Sequence, residues 1–385
     1  MSTLKVNKIE NTATTDGGIE IDNTGHVQID GVQLPTAGPL SNRNLIINGA
    51  MAVTQRTSAS TAIVDDKYLV QDRMQIFDNN DGSANLESDT DVPAGEGFTK
   101  SLKWDVTSAD TSIAPGQYAA IDYRIEGLDN AQLCYGTAQA KTIAVSFWAK
   151  STLTGPFCYA VRNSAINRSF IREFNFAAAD TWERITLTIP GDTGGTWLET
   201  NGRGAMHQIS LSMGSDFQST ADSWNSDDGV ATSNQVNLMG DAANDFYLTG
   251  WQVEVGSKVT PFEHRSFGDE LARCQRYYQK SFDYETAPGS STTQGTIQYG
   301  YTNMPAANYV ARFGAQFRAS MRAQPTVVTF DSAGNSGKCN YPDSSTNQSF
   351  TIILRSENNF SAETSSLSNS TDARIYFHYT AEAEL

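Results

Sequence analysis

The 385-residue sequence has few cysteines, few histidines and no long apolar run. The four cysteines are Cys134, Cys158, Cys274 and Cys339. Because they form no CxxC pair, we expect free thiols and no zinc site. No stretch approaches the roughly 18 apolar residues of a membrane span. The start, MSTLKVNK, also lacks the apolar core of a secretory signal. We therefore expect synthesis in the cytoplasm, with neither signal-directed export nor membrane insertion.

Motifs for catalysis are also scarce. None of the four histidines has a partner at metal or triad spacing, and no GxSxG, P-loop or GxGxxG context occurs. A glycosidase pair cannot be judged from spacing, because two acids about 5–10 Å apart can come from any two strands. We expect no enzyme activity and no cofactor. The acid-rich turns 78–82 and 227–229 could be solvated turns, or one could hold a structural Ca²⁺.

The chain has fewer basic than acidic residues. The chain has 27 Lys and Arg against 43 Asp and Glu, a net charge of −16 and a pI near 4.6. Nucleic acid is therefore an unlikely partner, since binding its phosphates requires a Lys/Arg surface. The length predicts two or three domains.

Short strands separated by turns dominate the rest of the chain. Residues 1–40 contain brief alternating pieces between glycines, too small to fold alone; they would wind together in three copies or dock on a larger assembly. Between residues 41 and 265, period-two alternation and polar turns predict a β-sandwich. Its predicted strands are 45–54, 68–77, 101–106, 118–126, 142–149, 157–162, 170–176, 184–189, 207–213 and 245–255.

The pattern changes from strand to helix near residue 266. Ser266 is a suitable N-cap, with Asp269 and Glu270 in the first turn. A helical seam follows at Phe267, Leu271, Cys274 and Tyr278, and we assign residues 266–281 to a short neck. This helix could lie along the preceding sandwich, or three copies could meet at it as a trimer neck. Residues 282–385 predict a smaller β domain with strands at 295–301, 312–317, 326–330, 350–355 and 375–380, and a long loop at 356–371.

Four sequence motifs resemble tail-fibre proteins of bacteriophages, particularly of marine phages. They are NLIINGAMAVTQR (44–56), SFWAKS (146–151), WERITLTIPGDTGGTW (182–197) and FYLTGWQVEVGSKVTPFEHRSFGDELARCQRYYQ (246–279). The resemblance implies a carbohydrate-binding-module-like jelly roll at 41–265, a virion-attachment segment at 1–40 and a fibre tip at 282–385. The expected fold is all-β, with attachment strands, jelly-roll sandwich, helical neck and C-terminal β-sandwich.

The resemblance also implies a function. The protein would be a homotrimeric tail fibre in the virion, bound to a tail tube, adaptor or nozzle protein by its N-terminal segment. It would recognise the host by binding surface polysaccharide or lipopolysaccharide. Two alternatives remain open: a purely structural tail-nozzle, collar or head-decoration protein, and a polysaccharide depolymerase.

Sugar binding requires an aromatic platform beside polar side chains, because a pyranose has an apolar C–H face ringed by hydroxyls. Aromatics packed inward under a loop, or at a subunit contact, would explain the same residues. The candidates are Trp197 with Asn201 and Arg203, Trp224 with Asn225, and Tyr299, Tyr301 and Tyr309 with Asn303.

Overall fold

A computed structural model describes residues 6, 8–10, 18–22, 25–35, 39–61, 63, 65–302, 309–341, 348–367 and 372–385. The chain divides into two compact units. The first takes the described residues of Met1–Ala52, with Thr61–Lys67 and Gln75–Arg265; the second takes Val53–Ser60, Tyr68–Met74 and the described residues of Ser266–Leu385. No helix in the described ranges is long and apolar enough to cross a membrane.

Strands dominate the regular secondary structure of the described residues, with little helix, which confirms the predicted all-β class. The strands are β1 (Lys8–Glu10), β2 (Gly18–Ile21), β3 (Val27–Ile29), β4 (Val32–Gln33), β5 (Ala59–Ser60), β6 (Gln75–Asp78), β7 (Ser83–Asp89), β8 (Ser101–Ser108), β9 (Tyr118–Glu126), β10 (Ile143–Ser151), β11 (Gly155–Asn163), β12 (Ser169–Phe176), β13 (Glu183–Ile189), β14 (Arg203–Met213), β15 (Trp224–Asn225), β16 (Asp245–Val255), β17 (Tyr278–Lys280), β18 (Ile297–Thr302), β19 (Tyr309–Gln316), β20 (Thr326–Phe330), β21 (Lys338–Cys339), β22 (Gln348–Arg355), β23 (Asn359–Leu367) and β24 (Asp372–Glu382). The α-helices are α1 (Gly127–Asn130) and α2 (Phe267–Gln275), and short 3₁₀ turns lie at Ala131–Leu133, Ser215–Phe217 and Leu238–Gly240.

Strands β1 to β4 form an antiparallel meander in which each strand pairs with the next. Its register places Ile9, Ile19, Ile29 and Val32 in one line across the sheet, which we call the apolar row. These side chains are 41–58% exposed. The described residues before Asn44 include no buried side chain. This sheet therefore has no core of its own.

The jelly-roll sandwich of the first unit consists of two antiparallel sheets. One contains β13, β10, β16, β8 and β7 in that order; the other contains β15, β12, β11, β14, β9 and β6. Alternate residues point inward, so aromatic rings fill the space between the sheets. Tyr159 contacts the rings of Phe147 and Trp251 at centroid distances of 6.0 Å. His207 also packs here, and burial lowers its pKa to about 3, so its imidazole is a neutral core group.

Eight of the ten predicted sandwich strands correspond closely to observed ones, and two do not. Residues 45–54 form turns and irregular structure instead of a strand, and within 68–77 only residues 75–77 belong to a strand, β6. Parts of both segments belong to the second unit, which corrects the predicted 41–265 domain. Asp72 explains the difference at 68–74, because it accepts hydrogen bonds from the Gln55 backbone and side chain inside the second unit. Strand β7 was not predicted.

The second unit is a smaller β-sandwich, as predicted. One sheet has the order β17-β24-β18, with β20 also pairing with β24, and the other has the order β19-β23-β22-β21. Phe313, Phe360, Phe377 and Tyr379 are buried in its core. Strand β23 lies where a long loop was expected.

Helix α2 begins as predicted and ends earlier. The Ser266 hydroxyl accepts a hydrogen bond from the Asp269 backbone N–H at 3.2 Å, which caps the helix. The helix ends at Gln275, and Tyr278 lies in β17 paired with β24, so the predicted helical neck to residue 281 is too long. Cys274 and Tyr278 are buried within their own chain. Of the four predicted neck residues, only Phe267 and Leu271 remain even partly exposed.

Candidate functional site

A groove of about 390 Å³ lies on the outer face of the sheet that contains β9, β11 and β14. Period-two alternation creates it: Tyr123 and Tyr159 point into the sandwich, so Arg124 and Arg162 point outward. Met206 of β14 lies between them, because it pairs with both arginines, and Gln208 also belongs to the lining. We call this site the groove.

The long loop between β14 and β16 folds back over part of the same face. Val230 donates its backbone N–H to the Phe217 carbonyl at 2.8 Å, and its own carbonyl accepts the Ser210 hydroxyl at 2.9 Å. Apolar residues of the loop and of the sheet cluster beneath it, among them Val230, Cys158 and Ile171. The loop therefore forms one wall of the groove, with Phe217, Asp228 and Val230 in the lining.

Three half-buried aromatic rings form the aromatic wall of the groove: Phe77, Tyr118 and Phe217. Tyr118 contacts Phe77 at 6.1 Å and Phe217 at 5.3 Å between centroids, both edge to face. Its hydroxyl donates to Asp65 Oδ2 at 3.0 Å. Burial and this bond to Asp65 raise the pKa of Tyr118 to about 12. The ring is thus fixed in place as a neutral phenol.

Three guanidinium groups form the arginine end of the groove. Arg124 donates from Nε to Asp122 Oδ2 and from Nη2 to Asp66 Oδ1, both at 3.3 Å. Its Cζ lies 5.4 Å from the Phe77 ring centroid, so it connects the two ends. Arg162 donates to Gln208 Oε1 at 2.8 Å. Arg203 donates to the Ser164 carbonyl at 2.8 Å.

A buried carboxyl group lies beneath the arginines. Asp122 is fully buried, and burial raises its pKa against the opposing effects of Arg124, Arg162 and Arg203. Burial also lowers the pKa of Arg162. Among the described residues, Arg162 Nε and Asp122 Oδ1 have no hydrogen-bond partner although both atoms are buried. Buried polar atoms are nearly always paired, so this end of the groove retains hydrogen-bonding capacity.

The predicted tryptophan sites are only partly consistent with this arrangement. Arg203 lines the groove, whereas Trp197 and Trp224 belong to a separate aromatic cluster around Tyr135. Trp197 is 7% exposed and donates its indole N–H to Asp192 Oδ2 at 3.1 Å. Its prediction as an exposed platform is therefore wrong, because the ring packs edge to face against Tyr135. Trp224 is half-buried and donates to the Pro190 carbonyl at 3.0 Å.

The asparagines near these tryptophans are not in the groove lining. Asn225 donates from Nδ2 to the carbonyls of Thr220 at 2.8 Å and Ser223 at 3.2 Å, so its amide holds its own loop. Asn201 is exposed in the turn before β14. Neither side chain lies beside the aromatic wall.

The predicted tyrosine site lies at the edges of the second sandwich. The Tyr299 hydroxyl donates to the Gly314 carbonyl and the Tyr301 hydroxyl to the Arg312 carbonyl, each at 2.7 Å. These tyrosines of edge strand β18 thus bond the backbone of edge strand β19. Asn303 lies outside the described residues. Tyr309 is in β19, and its side chain also lies outside them.

Side-chain oxygens of the two acid-rich turns accept hydrogen bonds from the chain itself. Asp227 accepts the hydroxyls of Ser169 at 2.9 Å and Ser219 at 2.7 Å, and Asn80 accepts the Gly82 backbone N–H at 2.6 Å. Asp227 thereby ties its turn to β12 and to the loop at Ser219. In the part of the chain that the structure describes, no group of three acidic, histidine or cysteine side chains could hold a metal ion.

Sequence reasoning missed most of the groove residues. A signal was present in β9, whose sequence YAAIDYRIE places Asp122 and Arg124 on one face and Ile121 and Tyr123 on the other. Opposite charges at alternate positions of an otherwise apolar strand indicate an uncovered polar face. The aromatic wall was not predictable in this way, because its rings come from β6, β9 and a distant loop.

Comparison of the sequence with protein-family models and with curated proteins finds no match. Among solved structures, the enzymatically active domain of bacteriophage CBA120 tailspike protein 4 is 11% identical, with a TM-score of 0.29, over 55% of this chain and 21% of the tailspike chain. TmCBM61 in complex with β-1,4-galactotriose is 10% identical, with a TM-score of 0.28, and the match covers 56% of this chain and 99% of the TmCBM61 chain. A family 11 carbohydrate-binding module from Clostridium thermocellum is also 10% identical (TM-score 0.26; 52% and 97%). These similarities are too weak to transfer a ligand or an activity to this chain.

Proposed function

We propose that the protein binds glycan non-covalently in the groove of the first unit and acts without catalysis or a cofactor. One observation supports this most strongly: the aromatic wall and the arginine end occupy the same groove and are linked by Arg124 above Phe77. Aromatic rings pack against the C–H face of a pyranose, while guanidinium, amide and carboxylate groups bond its hydroxyls. Purely aliphatic ligands would leave the arginines unused.

Removing the aromatic wall tests the proposal. We expect the double variant Tyr118→Ala/Phe217→Ala to lose at least tenfold in affinity for whichever polysaccharide the intact protein binds. Lost stacking of about 1.4 kcal/mol corresponds to a factor of ten. Affinity gel electrophoresis across a polysaccharide panel would identify the ligand, and calorimetry would measure the affinity.

The matched control is Trp182→Ala, which removes another half-buried aromatic ring. Trp182 contacts Tyr247 of β16 in the opposite sheet, at 6.1 Å between centroids, so this variant should bind as the intact protein does. A loss in the control but not in the double variant would place the site on the other sheet. Absence of binding across the panel would contradict glycan binding and favour a purely structural role.

The biological setting that we propose is a homotrimeric phage tail fibre, carried in the virion and attached to a tail protein by its N-terminal segment. The four motifs of the sequence and the apolar row of the N-terminal meander support this setting. The double variant Ile19→Lys/Ile29→Lys places two lysines at the centre of that row and should convert a trimer into monomers. Native mass spectrometry measures the oligomeric state. The control is Glu20→Lys, on the polar face of the same sheet. A monomeric intact protein would contradict the trimer.

A further inference from the structure

We infer that the groove is selective for uncharged glycans and discriminates against acidic or sulfated ones. This inference rests on the proposed glycan binding and specifies its ligand class. Three groups of observations carry it: the charges of the lining, the hydrogen bonds that its arginines already make, and the polar atoms that remain unpaired.

The charges of the groove are balanced. Its lining holds three guanidinium groups and the carboxylates of Asp65, Asp66 and Asp228, and Asp122 lies beneath them. The three lining aspartates already equal the three arginines in number, so the positive charges are balanced whether or not Asp122 is ionised. An anionic ligand would therefore meet no surplus of positive charge, and it would approach at least three carboxylates.

The guanidinium groups are also engaged by the chain itself. Arg124 bonds two carboxylates, Arg162 bonds the Gln208 amide and Arg203 bonds a backbone carbonyl. Recognition of a carboxylate or sulfate normally uses the paired donors of a free guanidinium fork. Here an anionic group that used the Nη2 donors of these arginines would compete with the internal acceptors. A neutral hydroxyl can instead add a single bond beside them.

The unpaired atoms at the arginine end comprise a donor, Arg162 Nε, and an acceptor, Asp122 Oδ1. A sugar hydroxyl both donates and accepts hydrogen bonds, whereas an ionised carboxylate or sulfate only accepts. A sugar hydroxyl can therefore satisfy either kind of atom, whereas an anionic group can satisfy only the donor. The net charge of −16 acts in the same direction, because it repels polyanions at long range.

The test uses neutral polysaccharides, each paired with its chemically sulfated derivative, so that only the charge of the ligand differs. Galactan, glucan and mannan are suitable backbones. We expect the full chain to bind at least one neutral polymer, and to bind its sulfated partner at least tenfold more weakly at low salt. High salt should narrow this difference, because it screens the repulsive charges.

Two double variants identify where the discrimination arises. Asp66→Asn/Asp228→Asn removes two carboxylates from the groove, and Asp66 is largely exposed, so folding should be preserved. We expect the ratio of the two affinities, sulfated over neutral, to rise three- to tenfold, whatever the effect of the substitutions on binding of the neutral polymer. The control, Glu87→Gln/Asp89→Asn, changes the net charge equally on β7 of the opposite sheet and should shift neither polymer.

The outcomes separate the inference from the proposed function. Equal or tighter binding of the sulfated polymer by the intact protein would overturn the selectivity and leave glycan binding in place. Equal shifts in both double variants would assign the discrimination to net charge and not to the groove. If no polymer of either kind bound, the proposed function itself would fail.

Discussion

The groove of the first unit and a charged cluster of the second unit use the same residue types in different ways. Both combine arginines, carboxylates and aromatic rings. In the cluster, Arg56 bonds Glu384 Oε1 at 3.2 Å and lies 3.8 Å from the Tyr278 ring centroid. Arg73 bonds Glu384 as well and lies 3.6 Å from the Tyr277 centroid. These arginines are enclosed by their own chain.

The two sites differ in how their aromatic rings are placed relative to the guanidinium groups. In the cluster, aromatic rings cover the arginines and the carboxylates are buried, so the interactions contribute to the stability of the second unit. In the groove, the rings stand beside the arginines and form a wall; Arg162 and Arg203 are half-buried there, whereas the Arg124 side chain is only 10% exposed. Residue composition alone would have favoured either region as a binding site.

Glu384→Ala should have the largest effect on stability and none on glycan binding. The Glu384 side chain is 5% exposed, and its removal leaves two buried guanidinium groups without that partner. Breaking a buried ion pair in this way costs about 3–5 kcal/mol. Denaturant unfolding measures the loss. The control is Glu382→Ala, whose side chain is 46% exposed and whose pair with Arg56 contributes about 0–1 kcal/mol. Equal losses in the two variants would contradict the distinction.

Arg162→Gln should have the opposite profile, with weakened binding and nearly unchanged stability. Removing Arg162 loses its hydrogen bond to Gln208 and its charge interaction with Asp122, but it also removes a charge that burial disfavours, so we expect the free energy of unfolding to change by about 1 kcal/mol or less. Glycan affinity should fall about tenfold, the effect of one lost charged hydrogen bond. Calorimetric titration and denaturant unfolding check the two parts. A variant that unfolds easily but binds normally would assign Arg162 a structural role.

The sequence predicted the class of fold well because its information is local. Period-two alternation located β9 and β16 to the residue, and the Ser266 cap located the start of α2. The predictions failed where distant segments decide the structure. Residues 53–60 and 68–74 belong to the second unit through contacts such as that of Asp72 with Gln55, and no local pattern indicates this.

The candidate site was less predictable than the fold. Trp197 was singled out because it lies in a long polar loop, but its ring is covered by Tyr135 and its N–H is satisfied by Asp192. Arg203 was identified, although for its proximity to that tryptophan in the sequence. The true neighbours of Arg203 in the groove are Arg124 and Arg162, which are 79 and 41 positions away in the chain. Strand pairing, not sequence spacing, brings them together.

Asp72 gives the charged cluster a pH dependence that can be isolated. Burial raises the pKa of Asp72 to about 6, against the opposing effect of Arg56. Because this pKa lies above the usual value of 3.8, the folded state binds the proton of Asp72 more tightly than the unfolded state does. Protonation of Asp72 therefore stabilises the fold at low pH, and this contribution to the free energy of unfolding is lost as pH rises through about 6. The contribution should be about 1 kcal/mol greater at pH 5 than at pH 7.

Asp72→Asn should remove this increment from the difference in unfolding free energy between pH 5 and pH 7. Denaturant titrations of both proteins at the two pH values measure it. Asp216→Asn, at an exposed carboxyl group of the first unit, is the control and should leave the difference unchanged. A greater stability increment at pH 5 in the Asp72 variant than in the intact protein would show that the sign is wrong.

Tyr299→Phe should have the smallest effect, and it decides whether the tyrosines of the second unit stabilise it or bind sugar. The hydroxyl of Tyr299 donates to the Gly314 carbonyl of edge strand β19, so its loss should cost about 1 kcal/mol in unfolding free energy. Glycan affinity should not change, because the groove lies wholly within the first unit. Tyr301→Phe, with a more exposed hydroxyl, should cost less. A fall in glycan affinity without loss of stability would instead identify these tyrosines as a second binding surface. The distinction between a binding groove in the first unit and a purely structural second unit would then no longer hold.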